Sequence, residues 1–111
     1  MESSDAVAAL SALAHDTRLG LFRLLVQAGD AGMAAGDIAE QLDVAPSTLS
    51  HHLTQLEQAG LIVARRKSRH IFYGIIVENV SALLSYLTEE CCAGRPELCG
   101  IAAAQADISS C

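Results

Sequence analysis

Residues 44–60, Val-Ala-Pro-Ser-Thr-Leu-Ser-His-His-Leu-Thr-Gln-Leu-Glu-Gln-Ala-Gly, constrain the chain more than any other stretch, because they spell a short helix with two chemically different faces. Pro46 suits a first helical position and Gly60 the residue just past a helix end. At about 100° per residue, Leu49, Leu53 and Leu56 fall within a sector of about 60°, and Ser47, His51, Thr54 and Gln58 lie opposite. One face is therefore committed to a core. The other carries small hydroxyls, amides and imidazole without an acid, side chains suited to hydrogen-bonding base edges and phosphates in a DNA major groove.

What flanks this helix narrows the fold. Residues 34–42 place Ile38, Ala39 and Leu42 at helical spacing and end at Asp43; Val44 and Ala45, extended before a proline, then make a tight turn. A short helix, a brief turn and a longer two-faced helix are a helix-turn-helix. After Gly60, two β-prone runs, 61–64 and 70–75, flank a basic polar tip at 65–69, which reads as a hairpin, or wing. Upstream, Val7, Leu10, Leu13 and Ala14 mark a helix over 5–14. Asp16 is placed as the N-cap of a second helix to about Gln27, with Leu21, Phe22, Leu24, Leu25 and Val26 as a wide buried stripe, before Gly29 and Gly32 break it. Downstream, Val80, Leu83, Leu84 and Leu87 mark a last helix from Glu78 to about Cys92, and Gly94 and Pro96 then turn the chain. The expected fold is mostly α with a small β-hairpin, a winged helix-turn-helix, and a helical chain of this length often buries further surface by dimerising. Residues 1–92 form the DNA-binding and dimerisation domain and 93–111 a cysteine-containing tail.

The formal charge of −6 on 111 residues argues at first against a nucleic-acid partner, since non-specific DNA affinity comes from cations neutralising phosphates. Its distribution reverses the inference. Four of the seven cations, Arg65, Arg66, Lys67 and Arg69, sit within five positions, and from Val44 to Val77 Glu57 is the only acid. A local basic footprint survives on an acidic molecule.

The cysteines are as unevenly placed: Cys91, Cys92, Cys99 and Cys111 all fall in the last 21 residues. No apolar run approaches the roughly 18 residues of a membrane span, and Met1-Glu-Ser-Ser-Asp5 lacks the basic start of a secretory signal. The expectation is a cytoplasmic protein without a membrane partner, and in a reduced cytosol a thiol cluster points to a metal or redox site over structural disulfides. Three thiolates without histidine suit a pyramidal As(III) or Sb(III) centre better than tetrahedral zinc; Cys111 as a fourth ligand makes a Cys₄ site for zinc or cadmium, at the cost of ordering a loose tail.

Several segments together resemble the ArsR/SmtB family of small dimeric winged-helix repressors that sense metal or metalloid ions: Ala14-His-Asp-Thr-Arg-Leu19, Asp37-Ile-Ala-Glu40, Ser47-Thr-Leu-Ser-His-His-Leu53, Leu56-Glu-Gln-Ala-Gly-Leu-Ile62, and the wing from Arg65 to Tyr73. The resemblance reaches to about Tyr86. It implies a homodimer built on the first and last helices, with two recognition helices entering successive major grooves of a near-palindromic double-stranded operator. Ser47, Thr48, Ser50, His51 and Gln55 then face DNA, and Arg65, Arg66, Lys67 and Arg69 grip backbone or reach the minor groove. His52, about 60° from the leucine stripe, is read as a packed, hydrogen-bonded histidine and not a ligand.

Two sensing patterns of the resembled family are missing. Residues 32–40 lack the Cys-x-Val-Cys motif of some arsenic sensors, and no histidine lies beyond His70 to make the zinc site of others. The vicinal pair Cys91 and Cys92 with Cys99 resembles the C-terminal site of other arsenic repressors. The expectation is a repressor, not an enzyme, released by As(III), Sb(III) or an organoarsenical at those thiols and needing no organic cofactor. The alternative is a repressor sensing oxidants or persulfide through the same thiols. A cysteine-dependent reductase is the third reading, against which stand the missing Cys-x-x-Cys, the missing Gly-rich phosphate loop and the absence of a histidine near the cysteines in sequence.

Overall fold

The computed structural model describes residues 1–88; Cys91, Cys92, Cys99, Cys111 and the 93–111 segment lie outside the described residues. The order is α1 (Ser3–Leu13), α2 (Asp16–Ala28), a 3₁₀ turn (Gly29–Ala31), β1 (Met33–Ala34), α3 (Ala35–Leu42), α4 (Pro46–Gln58), β2 (Ile62–Lys67), β3 (His70–Ile75) and α5 (Val77–Leu87). This is the expected winged helix-turn-helix. No helix among the described residues is long and apolar enough to cross a membrane.

Leu49, Leu53 and Leu56 of α4 pack with Leu21 and Leu25 of α2, Ile38 of α3, Leu61, Ile62 and Leu83 into one core. Removing each such leucine or isoleucine from water contributes about 1.5–3 kcal/mol. The α2 stripe is narrower than its sequence suggests: Leu21 and Leu25 are buried, Phe22 and Leu24 half-buried, and Val26 exposed. A longer correction concerns α1. Its buried side is Ala6, Ala9 and Ala12, while Val7 and Leu10 are 60 % and 43 % exposed. Small side chains let the α1 backbone approach α2 and α4 closely, so the larger apolar residues of this helix point away from the monomer core.

The helix-turn-helix is closed by backbone conformation. Asp43 takes the left-handed region at φ 55°, ψ 50°, tolerable for an aspartate, and ends α3; Val44 N–H donates to Ala39 O and Pro46 opens α4. Asp16 is not the cap of α2. His15 is: its Nδ1 accepts from Thr17 N–H at 3.1 Å, which leaves Asp16 within the first turn, where a carboxylate favours the positive end of the helix. Helix α5 stops at Leu87, short of Cys92, with the Thr88 hydroxyl donating to Leu84 O at 2.8 Å. Its start is tied to the end of α4, because Asn79 Nδ2 donates to Gly60 O at 2.8 Å.

The sheet has three strands, in the order β1-β3-β2, all antiparallel neighbours. Strand β1 is two residues long and takes in Ala34, which in sequence reads as the start of the next helix; it exists because Tyr73 and Phe72 of β3 offer a free edge to Met33 and Ala34. Gly32 at φ +72° brings the chain onto that edge, and a Cβ there would lie 2.7 Å from Tyr73 O. Gly36, at the start of α3, faces open space. The two glycines should therefore respond oppositely in urea denaturation: Gly32→Ala destabilises by more than about 1 kcal/mol, whereas Gly36→Ala stabilises by up to about 1 kcal/mol. Equal effects would mean that the edge contact is not what fixes Gly32.

Candidate nucleic-acid interface

With its leucine face buried, α4 presents Ser47, Thr48, Ser50, His51 and Thr54 to solvent. Thr54 is partly spent, its hydroxyl donating to Ser50 O at 2.9 Å. Ala45, in the N-cap position, supplies no side-chain cap, so the first N–H groups of α4 point outward unpaired by any cap. Uncapped donors at the positive end of a helix favour an anionic oxygen. Glu57, the acid of this helix, lies at its other end. Gln55 is half-buried and lines a groove with Ala8, Ser11 and Ala12 of α1, beside and not upon the outer face.

The wing differs from its sequence reading. The turn is only Ser68 and Arg69, with Ser68 at φ 60°; Arg65, Arg66 and Lys67 belong to β2, paired with Phe72, Ile71 and His70. The cause is the register. Ile62 opposite Ile75, with Tyr73 two residues back on the same face, packs against the core, and the ladder then runs on outward through Ala64 and the basic residues. Alternation along the ladder puts Arg66 on the side of Ile71 and Tyr73, and both of these line a notch of about 250 Å³ with Pro46 and Ser50 of α4. Arg65 and Lys67 take the other side. Arg65 Nη1 donates back to Asp30 O at 3.3 Å, and Lys67 Nζ sits 5.8 Å from the centre of the Phe72 ring. The four basic residues are thus split between two faces and the turn, and Arg66 is the one in β2 that shares a side with the recognition helix. Burial, with the Glu57 carboxylate as a lesser cause, raises the Tyr73 phenol above its ordinary range, so it remains a protonated donor.

Behind the outer face lies a second polar group. His52 is buried at 6 % exposure, and its Nδ1 accepts from Arg18 Nη1 at 3.2 Å; Arg18 Nε also donates to Ala12 O at 2.6 Å. The His15 ring packs 4.7 Å from the His52 ring, and His51 lies 5.6 Å from it. Burial first, then the neighbouring His15, Arg18 and His51, lower the His52 pKa, so its neutral form is favoured. His52 is the packed, hydrogen-bonded residue the helical wheel points to. Arg18 was not foreseen, because nothing near it in sequence marks a partner 34 positions away. Among the described residues no group of three histidine, cysteine or acidic side chains is arranged to hold a metal ion.

A family model described as a helix-turn-helix domain matches residues 13–65. The transcriptional repressor SdpR of Bacillus subtilis is 33 % identical over 82 residues, covering 70 % of this chain and 88 % of that protein. A putative arsenical resistance operon repressor, ArsR, of Halobacterium salinarum is 40 % identical over 63 residues, 57 % of this chain and 48 % of its own. Among solved structures, the homodimeric winged helix-turn-helix DNA-binding domain Mb0332 of Mycobacterium bovis, a possible ArsR-family transcriptional regulator, superposes with TM-score 0.64 at 31 % identity, over 78 % of this chain and 81 % of its own. Reduced HlyU from Vibrio cholerae does so with TM-score 0.62 at 30 % identity, over 77 % and 90 %.

The wing geometry generates a salt-titration result. Arg66→Ala should lower the slope of log affinity against log salt for duplex DNA by about 0.9, the release of one condensed counterion. Arg65→Ala, whose guanidinium is tied to the Asp30 carbonyl, should change the slope by clearly less. Equal slope changes would mean that the strand register does not sort the two arginines.

Proposed function

The chain belongs to the ArsR family of helix-turn-helix transcriptional repressors, and from that premise we propose an operator-binding homodimer whose release is driven by As(III) or Sb(III) at Cys91, Cys92 and Cys99. The DNA-binding half rests on one observation above the others: α4 turns Ser47, Thr48, Ser50 and His51 outward from an uncapped helix start, with Arg66 of the wing on the same side. Ser47 and Thr48 take phosphate oxygens, Ser50 and His51 reach base edges, and Arg66 with Arg69 at the wing turn grips the backbone. Gln55 reaches DNA only at the margin of this face.

Dimerisation is supported by the unburied apolar residues of the two helices that pack together at the other end of the molecule. Val7 and Leu10 of α1 and Leu87 of α5 stand exposed, a surface expected to be covered. Two copies joined there carry two recognition helices, as a near-palindromic site requires. Cys91 follows Leu87 by four positions, so in sequence the proposed thiols come after the last helix and outside residues 44–75, which carry the DNA-reading side chains. Three thiolates are soft donors without an oxygen or nitrogen requirement, which is the chemistry of As(III). The arsenical-operon repressor among the relatives supports the same inducer class. Because coupling is reciprocal, operator DNA weakens metalloid binding by the factor by which metalloid weakens DNA binding.

A second reading keeps the repressor and replaces the inducer by dithiol chemistry, Cys91 or Cys92 pairing with Cys99 as two electrons pass to peroxide or a polysulfide. The similarity to HlyU, described in a reduced form, favours keeping it in view. Operator affinity of the wild type and of a Cys91→Ser, Cys92→Ser variant, with and without arsenite under reducing conditions, separates the readings. The expected result is weakened binding by the wild type and no response from the variant. Undiminished release from the variant would remove the site assignment; a wild type indifferent to arsenite but released by peroxide or persulfide in metal-free buffer would establish the second reading.

A further inference from the structure

The cluster around buried His52, behind the recognition helix, has no part in the function described so far. It consists of His15 at the head of α2, Arg18 on its first turn, and His52 on the second turn of α4, with His51 adjoining on the DNA side. Arginine has five N–H donors and no acceptor, so an Arg18 Nη1 to His52 Nδ1 contact of 3.2 Å requires a lone pair on Nδ1. His52 must therefore be neutral, with its proton on Nε2. Arg18 is itself held, since Nε donates to Ala12 O, the last buried residue of α1. One guanidinium thus joins α1, α2 and α4 at one point. Apolar contacts between α4 and the body are non-directional, whereas a hydrogen bond one residue from His51 has a preferred direction and adds an angular restraint.

We propose that Arg18 and His52 are positioning residues for DNA recognition, forming a latch that fixes the rotation of α4 on its core and hence where Ser47, Ser50 and His51 meet the duplex. The inference rests on the DNA-binding reading of α4 and is independent of the inducer. The latch has a built-in release. A second proton on His52 removes the Nδ1 acceptor and sets a cation against Arg18. The titratable and charged groups bearing on that ring are His15 and Arg18 from the α2 side and His51 from α4, while α1 presents the Ala12 carbonyl. None of them is an acid that would stabilise an imidazolium. The sign follows from the lowered His52 pKa: the folded, latched state binds fewer protons than the released one, so the latch is complete above the ordinary histidine value and is lost as pH falls through the depressed one.

The test uses the full chain and a duplex selected by the wild type from a random-sequence pool at pH 7.5. His52→Asn places an amide oxygen near the Nδ1 position and cannot take up a proton in this range; His52→Leu fills the space without an acceptor; Arg18→Met removes the donor. At pH 7.5 the Asn variant should bind within about threefold of wild type, and the Leu and Met variants about tenfold more weakly, the fold-change of one charged hydrogen bond. The Leu and Met changes combined should cost little more than either alone, since both break the same bond. As the pH is lowered from 7.5 at fixed ionic strength, the ratio of wild-type to His52→Asn affinity should fall. Tight binding by Arg18→Met, or a ratio unchanged down to the pH at which both chains unfold, would overturn the latch. Should His52→Leu fail to fold, Arg18→Met and the pH ratio still decide. A wild type that selects no duplex would instead overturn the DNA-binding reading on which the latch rests.

Discussion

Everything in this molecule depends on the burial of one side of α4. Leu49, Leu53 and Leu56 meet Leu21, Leu25 and Ile38 in a core assembled from α2, α3 and the base of the wing. That burial leaves the helix a single free side, and the polar residues there become a surface by default. The turn at Asp43 and the proline at position 46 fix the angle at which the helix leaves α3, and the Asn79 bond to Gly60 ties its far end to α5. Recognition helix and last helix are consequently linked through the body of the protein.

The wing shows how strand register rearranges a charge cluster. Four cations close together in sequence suggest one basic tip, but a β-ladder sends alternate residues to opposite faces. Arg66 falls on the side of Ile71, and Arg65 turns to the Asp30 carbonyl. An acidic protein can then present its positive charge at a few chosen points and not as a broad field, and the proposed hold on DNA accordingly relies on placed hydrogen bonds as well as on counterion release. Accurate seating of α4 matters more under that condition, which is where Arg18 and His52 enter.

The helix-turn-helix, the hairpin and the last helix were legible in the sequence because each is written locally: a 3.6-residue period for the helices, runs of β-prone residues around a basic tip for the strands, and Pro46 and Gly60 as boundaries. The alanine face of α1 was not. Val7 and Leu10 look like its buried side because hydrophobicity scales rank them above alanine, whereas the real core side is set by how closely α1 must approach α2 and α4. Strand β1 was missed for the same kind of reason. Two residues carry no period of their own, and their pairing is created by the edge of β3, some 40 positions later.

By itself, then, the sequence determined which residues α4 would hide and which it would show, and placed a basic hairpin beside it, because those properties follow from side-chain spacing along one element. Only the tertiary structure decided that Arg66 and not Arg65 accompanies the recognition helix, that His15 and not Asp16 caps α2, and that His52 is buried against Arg18. Each of these depends on a register or an approach between segments distant in the chain, and spacing along a single helix or strand contains no information about where its neighbour will lie.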